Sequence, residues 1–309
     1  MIIRIPRLAV PAAALAVLLG TVGCGSQQPA AAPDDRLTVV ASTDVWAGVV
    51  RAVAGDAVEI KTIMDDPAGD PHSYEASPAD AADVAGADLV VFNGGGYDEF
   101  MDQFLGQAGN KPTVEAVTLA KEQPHVQQPG THSHEAGANE HVWYDLPVAT
   151  AVAEHVAEEL GKLEPAQAEQ FTAAATTFGD GVDELSAQVV RIAERHAGAR
   201  VVMTEPVAHY LVEAAKIEDA TPPEFVEAVE EETDPPAAAA AATTKLLTDR
   251  QVQVLIYNPQ TETPVTGKVR DAARSAAVPV VTMTETLPEN TTYLDWMSGQ
   301  IDALNAALG

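Results

Sequence analysis

Val58-Glu59-Ile60-Lys61-Thr62-Ile63-Met64 is a β-branched run that delivers the chain into a loop over residues 65–72. Residues 78–85 then read as a helix behind Ser77, a good cap residue with a proline after it. Asp88-Leu89-Val90-Val91-Phe92-Asn93 follows as another strand and ends at Gly94-Gly95-Gly96. That strand–loop–helix–strand order decides the fold, because strands separated by helices pair in parallel and form a layered α/β domain. Upstream, residues 37–42 read as a strand and 46–54 as a helix. Downstream, residues 98–106 read as a helix.

The remainder repeats the alternation. Residues 124–139 are a polar loop carrying His125, His132 and His134, and 147–163 are helical. From Pro165 to about Arg195, Phe171, Phe178, Val182, Leu185, Val189 and Ile192 recur at helical spacing, with Gly179 and Gly181 as local weak points. Beyond it, strands are expected at Arg200–Met203, 225–229, 252–258 and 280–283. Helices are expected at 207–215, 236–247, 264–277 and 292–308. The expected architecture is α/β: two lobes with mostly parallel sheets, residues 37–163 and 197–309, joined by one long connecting helix within 164–196.

The first 23 residues read as a signal peptide, with Arg4 and Arg7 ahead of an apolar stretch too short for a permanent span. Cys24 follows a glycine there and resembles the lipid-bearing cysteine of a bacterial lipobox, although Thr21 stands where leucine is usual. Residues 24–36 read as the lipidated cysteine and a flexible Gln-, Pro- and Ala-rich tether. Cys24 is the sole cysteine, so neither disulfides nor thiolate ligands are available to the body of the protein. The chain holds 46 acidic residues against 17 basic ones, which argues against a nucleic-acid partner because nothing could neutralise a run of phosphates.

In open α/β domains ligands bind beyond the carboxyl ends of strands. His72 lies in the loop after Val58–Met64, and His141 in the turn before the 147–163 helix. Glu205 follows the strand Arg200–Met203, and Glu285 follows 280–283. Two imidazoles and two carboxylates meeting across a cleft would make a closed N₂O₂ site for a divalent transition metal. Each has a plainer reading: a surface histidine, a helix-capping Glu205, a solvated Glu285. Trp143 and Phe92 read as core, and the triple glycine as a tight turn rather than a phosphate loop, since no lysine follows.

Asp70-Pro71-His72-Ser73-Tyr74-Glu75-Ala76-Ser77-Pro78-Ala79-Asp80 resembles a signature of the zinc/manganese solute-binding lipoproteins that serve bacterial ABC metal importers, with Ala76 in place of a proline. Asp88 to Gly94 and His141-Val142-Trp143-Tyr144-Asp145 resemble two further family motifs, with Leu146 again replacing a proline. The resemblance implies two lobes, a rigid connecting helix and a metal between the lobes. It places the ligands at His72, His141, Glu205 and Glu285. Glu205 stands where zinc binders usually carry histidine and manganese binders glutamate, and Glu285 where aspartate is usual. His209 is a fallback third ligand.

Zinc is the favoured ion, from its higher affinity at N/O sites, and manganese the alternative. The implied protein is a lipid-anchored, monomeric capture protein at the extracytoplasmic face of the cell membrane, handing metal to an ABC permease. Ligation needs neutral imidazole, so capture should weaken as pH falls through the histidine range. It is not expected to be an enzyme: a metal-dependent hydrolase is one alternative, but nothing in the sequence marks an H-E-x-x-H helix or paired metals. A surface adhesin built on the same fold is the other alternative.

Overall fold

Seven residues of extended, largely apolar chain, β1 (Leu37–Thr43), start the first lobe, and the Thr43 hydroxyl caps α1 (Asp44–Ala54) by accepting the Trp46 N–H. β2 (Val58–Met64), α2 (Pro78–Gly86), β3 (Leu89–Phe92), α3 (Phe100–Ala108), β4 (Thr113–Glu115), α4 (Ala116–Glu122) and α5 (Leu146–Leu163) follow. α2 opens with a reciprocal capping box, Ser77 bonding to the Asp80 N–H and Asp80 to the Ser77 N–H. These assignments come from a computed structural model that describes residues 36–67, 74–123, 139–231 and 233–309. The expected signal peptide, Cys24, most of the tether, and His72, His125, His132 and His134 lie outside the described residues. No helix among the described residues is long and apolar enough to cross a membrane.

After a 3-10 turn at Pro165–Gln167, α6 (Ala168–His196) runs 29 residues and links the lobes. It buries Phe171, Ala175, Phe178, Val182, Leu185, Val189 and Ile192, the stripe its 3–4 spacing dictates. The second lobe comprises β5 (Arg200–Met203), α7 (His209–Ala214), β6 (Glu218–Asp219), α8 (Pro223–Glu230), α9 (Ala237–Thr248), β7 (Val254–Tyr257), α10 (Pro264–Ser275), β8 (Val280–Thr282) and α11 (Tyr293–Leu308).

Each lobe carries a four-stranded sheet, ordered β2-β1-β3-β4 and β6-β5-β7-β8, and every pairing is parallel. Both sheets reverse their winding beside their first strand, at β1/β3 and β5/β7. Such switch points open a crevice at the carboxyl ends of the strands. β7 shows the two-faced packing of a buried parallel strand: Val254 and Ile256 join the core shared with α6, while Leu255 and Tyr257 face α9 and α10.

One expected element is of the wrong type. Residues 225–229 are not a strand but part of α8, which buries Phe225, Val226, Ala228 and Val229 after the Pro222-Pro223 start. The spacing of those four suits one helical face, and a five-residue apolar run does not separate the two periods. β4, α4 and β6 were not expected at all. The two strands are three and two residues long, too short to carry a period.

Candidate metal centre

Three of the four expected ligands converge. Glu205 leaves the end of β5, Glu285 leaves β8, and His141 comes from the turn before α5; all three are buried, with 0–1% exposure. His141 Nε2 lies 3.8 Å from Glu205 Oε1 and 3.9 Å from Glu285 Oε2. One donor atom from each side chain falls within 4.8 Å of the other two. These separations exceed hydrogen bonds and suit three groups facing one ion. His72, the fourth expected ligand, lies outside the described residues.

The imidazole is held in one tautomer. Asn139 Nδ2 donates to the Pro206 carbonyl at 3.0 Å, so its Oδ1 faces His141. That oxygen accepts the His141 backbone N–H at 2.9 Å and sits 3.1 Å from Nδ1. Nδ1 therefore carries the proton, and Nε2 offers its lone pair toward the carboxylates, the arrangement an outer partner imposes on a metal-ligating histidine. Trp143 packs against the imidazole at 5.2 Å between ring centres, so this core residue also walls the site.

Each carboxylate is anchored by neutral donors. Glu205 Oε2 accepts from Asn258 Nδ2 at 2.5 Å and from the Thr261 hydroxyl at 2.8 Å. Glu285 Oε1 accepts from Asn258 Nδ2 at 2.7 Å, and Oε2 from the Tyr97 hydroxyl at 2.9 Å. Burial, reinforced by the Glu285 and Glu205 carboxylates, pushes the Tyr97 hydroxyl well above its ordinary range, so it remains a donor. Tyr97 reaches the site from the first lobe. It follows Gly94-Gly95-Gly96, whose φ angles of 76°, 72° and 104° require glycine. Two ionised carboxylates with oxygens within 4.8 Å would repel by roughly 3–4 kcal/mol at an effective dielectric of 20. A divalent cation between them turns that cost into attraction, and the N/O donor set is one that zinc and its neighbours accept.

The plainer readings of these residues fail on geometry. Glu205 occupies the position before the Pro206 turn, but its side chain makes no capping bond. Glu285 is buried rather than solvated. His209, the fallback ligand, is about one-third exposed, with Nε2 3.9 Å from Glu213, and does not join the cluster. Asn258, Tyr97, Asn139 and Thr261 were missed by a search for charged or imidazole side chains. Asn258 at least carried a signal, since it stands at the carboxyl end of β7, where the strand-end rule applies equally.

Two parallel α/β lobes, one linking helix and a buried His–Glu–Glu cluster between strand ends define a two-lobed α/β protein with a metal-type site. Residues 39–307 match the family model described as zinc-uptake complex component A, periplasmic, and the chain belongs to that family. The family is one of transport proteins rather than enzymes. The chain is similar to zinc-binding protein TroA of Treponema pallidum, 30% identical over 191 residues, covering 62% of this chain and 60% of that protein. It is also similar to manganese-binding lipoprotein MntA of Bacillus subtilis, 25% identical over 174 residues and 56% of each chain. The chain spans about half the length of the first curated relatives it matches, 49% and 56%. Among solved structures, periplasmic TroA of Treponema pallidum superposes with a TM-score of 0.74 at 23% identity, covering 89% of this chain and 99% of that one. The laminin-binding protein Lmb of Streptococcus agalactiae superposes with a TM-score of 0.71 at 20% identity, covering 88% and 100%.

Proposed function

We propose that this protein captures a divalent transition metal outside the membrane and delivers it to an ABC permease. His141, Glu205 and Glu285 would bind the ion, with His72 closing the shell as a second nitrogen ligand. Zinc is the favoured cargo, and manganese the alternative. Cys24 would carry the lipid anchor that keeps the protein, as a monomer, at the extracytoplasmic face of the membrane. The observation that carries this reading is the convergence of one imidazole nitrogen and two carboxylate oxygens within 4.8 Å in a buried site. The three donors are buried, where Coulomb attraction to an ion is stronger than in water, and His72 as a fourth protein ligand would fill the shell and leave no open position for catalysis.

Chelator-stripped protein titrated with zinc and manganese in competition, followed by elemental analysis, tests this reading. One tightly bound ion per chain is expected, with zinc displacing manganese. His141→Ala should lose at least about 100-fold in affinity, since second-shell changes alone cost 10- to 100-fold. Retention of one tight ion by that variant would remove the site from the protein's function. The same retention by His72→Ala would remove His72 from the ligand set.

A further inference from the structure

We propose that Arg270 and Glu262 are positioning residues for this site: clamped on Tyr257, they order the turn at residues 258–261, whose side chains hold Glu205 and Glu285. The inference rests on the reading that those two carboxylates and His141 bind the ion. β7 lies between β5 and β8 in the second sheet, so the turn leaving its carboxyl end passes between the strand ends that supply the two glutamates. Asn258 Nδ2 donates to Glu205 Oε2 at 2.5 Å and to Glu285 Oε1 at 2.7 Å. Gln260 Oε1 accepts the Glu285 N–H at 2.7 Å, while its Nε2 donates to the Thr286 hydroxyl at 2.9 Å. The Thr261 hydroxyl donates to Glu205 Oε2 at 2.8 Å. Three residues of one short turn thus bear on both glutamates, and the path of that turn decides where their partners stand.

Asn258-Pro259-Gln260-Thr261 has no large apolar side chain to anchor it. Its ends are tied instead. The Tyr257 hydroxyl donates to Glu262 Oε2, and Arg270 Nη1 donates to that same oxygen at 2.5 Å and to the Tyr257 hydroxyl oxygen at 3.2 Å. The guanidinium also lies over the Tyr257 ring, 5.2 Å from its centre. Arg270 is carried by α10, whose first turn is set by a capping box between Thr263 and Thr266. Tyr257 is buried in the core that β7 shares with α9 and α10. Burial, helped by the Glu262 carboxylate, pushes its hydroxyl up to about 12, so it stays a donor. Both ends of the turn are therefore closed onto one capped helix.

The Arg270 and Glu262 side chains are 22% and 43% exposed, so as an ion pair they add little to overall stability. Their effect falls on affinity. A donor that must be ordered at the moment of binding costs part of the binding free energy, and a turn ordered beforehand does not. Loss of the clamp should leave the fold standing and weaken metal binding.

Zinc is the probe. Chelator-stripped parent, Arg270→Met, Glu262→Gln and Lys268→Met are compared by chelator competition, thermal melts and amide hydrogen exchange. Arg270→Met and Glu262→Gln should each lose about three- to tenfold in zinc affinity, less than the 10- to 100-fold of a direct outer partner. Exchange in the zinc-free variants should quicken at Asn258, Gln260 and Thr261, with melts close to the parent's. Lys268→Met removes an exposed cation of the same helix and should match the parent. A double-mutant cycle with Thr261→Val separates positioning from general loosening. If Arg270 acts through the turn, Arg270→Met costs less affinity once the Thr261 donor is gone, whereas independent effects add. Unchanged zinc affinity in both clamp variants, or additive losses in the cycle, overturns the proposal. Should Arg270→Met fail to fold by circular dichroism, Glu262→Gln carries the same cycle with the same two outcomes. A parent that binds no zinc stoichiometrically would instead sink the site assignment. A zinc-binding parent with indifferent clamp variants sinks only the role of Arg270 and Glu262.

Discussion

Asp44, at the start of α1, shows how one side chain ties the lobes together at a cost that depends on pH. Its Oδ2 accepts the Leu287 N–H at 2.8 Å, a bond between the first lobe and the loop after β8. Burial pushes the Asp44 carboxyl up to about 7, outweighing the Leu287 N–H, which favours the ionised form; the nearby Asp65 carboxylate adds to the rise. The native state therefore holds a proton that the unfolded chain releases near 3.8. A raised acid of this kind contributes stability that is fully present below the unfolded value and is lost as pH rises through the folded value. Asp44→Asn keeps an oxygen for Leu287 and removes the titration. Urea unfolding of chelator-stripped protein between about pH 5 and pH 8 should show the parent losing stability relative to the variant, by up to a few kcal/mol. Parallel pH profiles for the two proteins would show that Asp44 does not titrate in this window.

At the scale of elements, α6 contains the clearest paired prediction. Gly179 and Gly181 interrupt its helical pattern, yet the helix runs through both. A Cβ at Gly179 would meet Thr150 Cγ2 at 3.4 Å, an ordinary contact, whereas one at Gly181 would stand 2.6 Å from Leu294 Cδ1. Gly179→Ala should thus gain about 0.5–1 kcal/mol from helix propensity. Gly181→Ala must displace Leu294 and should gain less or lose; thermal melts of the two variants decide. The sequence makes α6, β2 and β5 readable because each is long enough, or apolar enough, to show its own period. It hides α8 behind Phe225-Val226, an apolar pair that either element could bury, and it hides β4 and β6 because pairing alone defines strands so short. The site divides in the same way. Glu205 and Glu285 are legible as carboxylates at strand ends, but Asn258 and Tyr97 act through geometry that only the folded sheets create. Asn139 likewise gains its meaning from the Pro206 carbonyl, which lies in the other lobe.

For the whole molecule, one apolar core runs without interruption from β1 and α1 through α5 and α6 to β5, β7 and α11. Among the described residues, only the outer face of the second sheet, against α8, α9 and α10, has a core of its own. Hydrogen bonds cross between the lobes around the site: Tyr97 to Glu285, Tyr144 to the Thr284 carbonyl at 2.8 Å, and the Thr286 hydroxyl to the Pro67 carbonyl at 3.1 Å. α11 adds a strap, with the Tyr293 hydroxyl donating to the Trp143 carbonyl at 2.7 Å. Swinging the lobes apart would expose part of that shared core. Exposing ~300 Å² of apolar surface costs about 7–8 kcal/mol at ~25 cal/mol/Å². That is comparable to the whole stability of many domains, on the order of 5–15 kcal/mol. If the proposed function holds, metal capture should therefore proceed by settling of the loops that carry the proposed ligands, not by a wide hinge. Solution scattering of stripped and zinc-loaded protein should give the same radius of gyration within error. Hydrogen exchange should slow on loading at residues 139–146, 204–208, 258–263 and 284–287, while α6 remains unchanged. A measurable contraction on loading, together with exchange changes along α6, would mean that the shared core parts and re-forms with each ion carried.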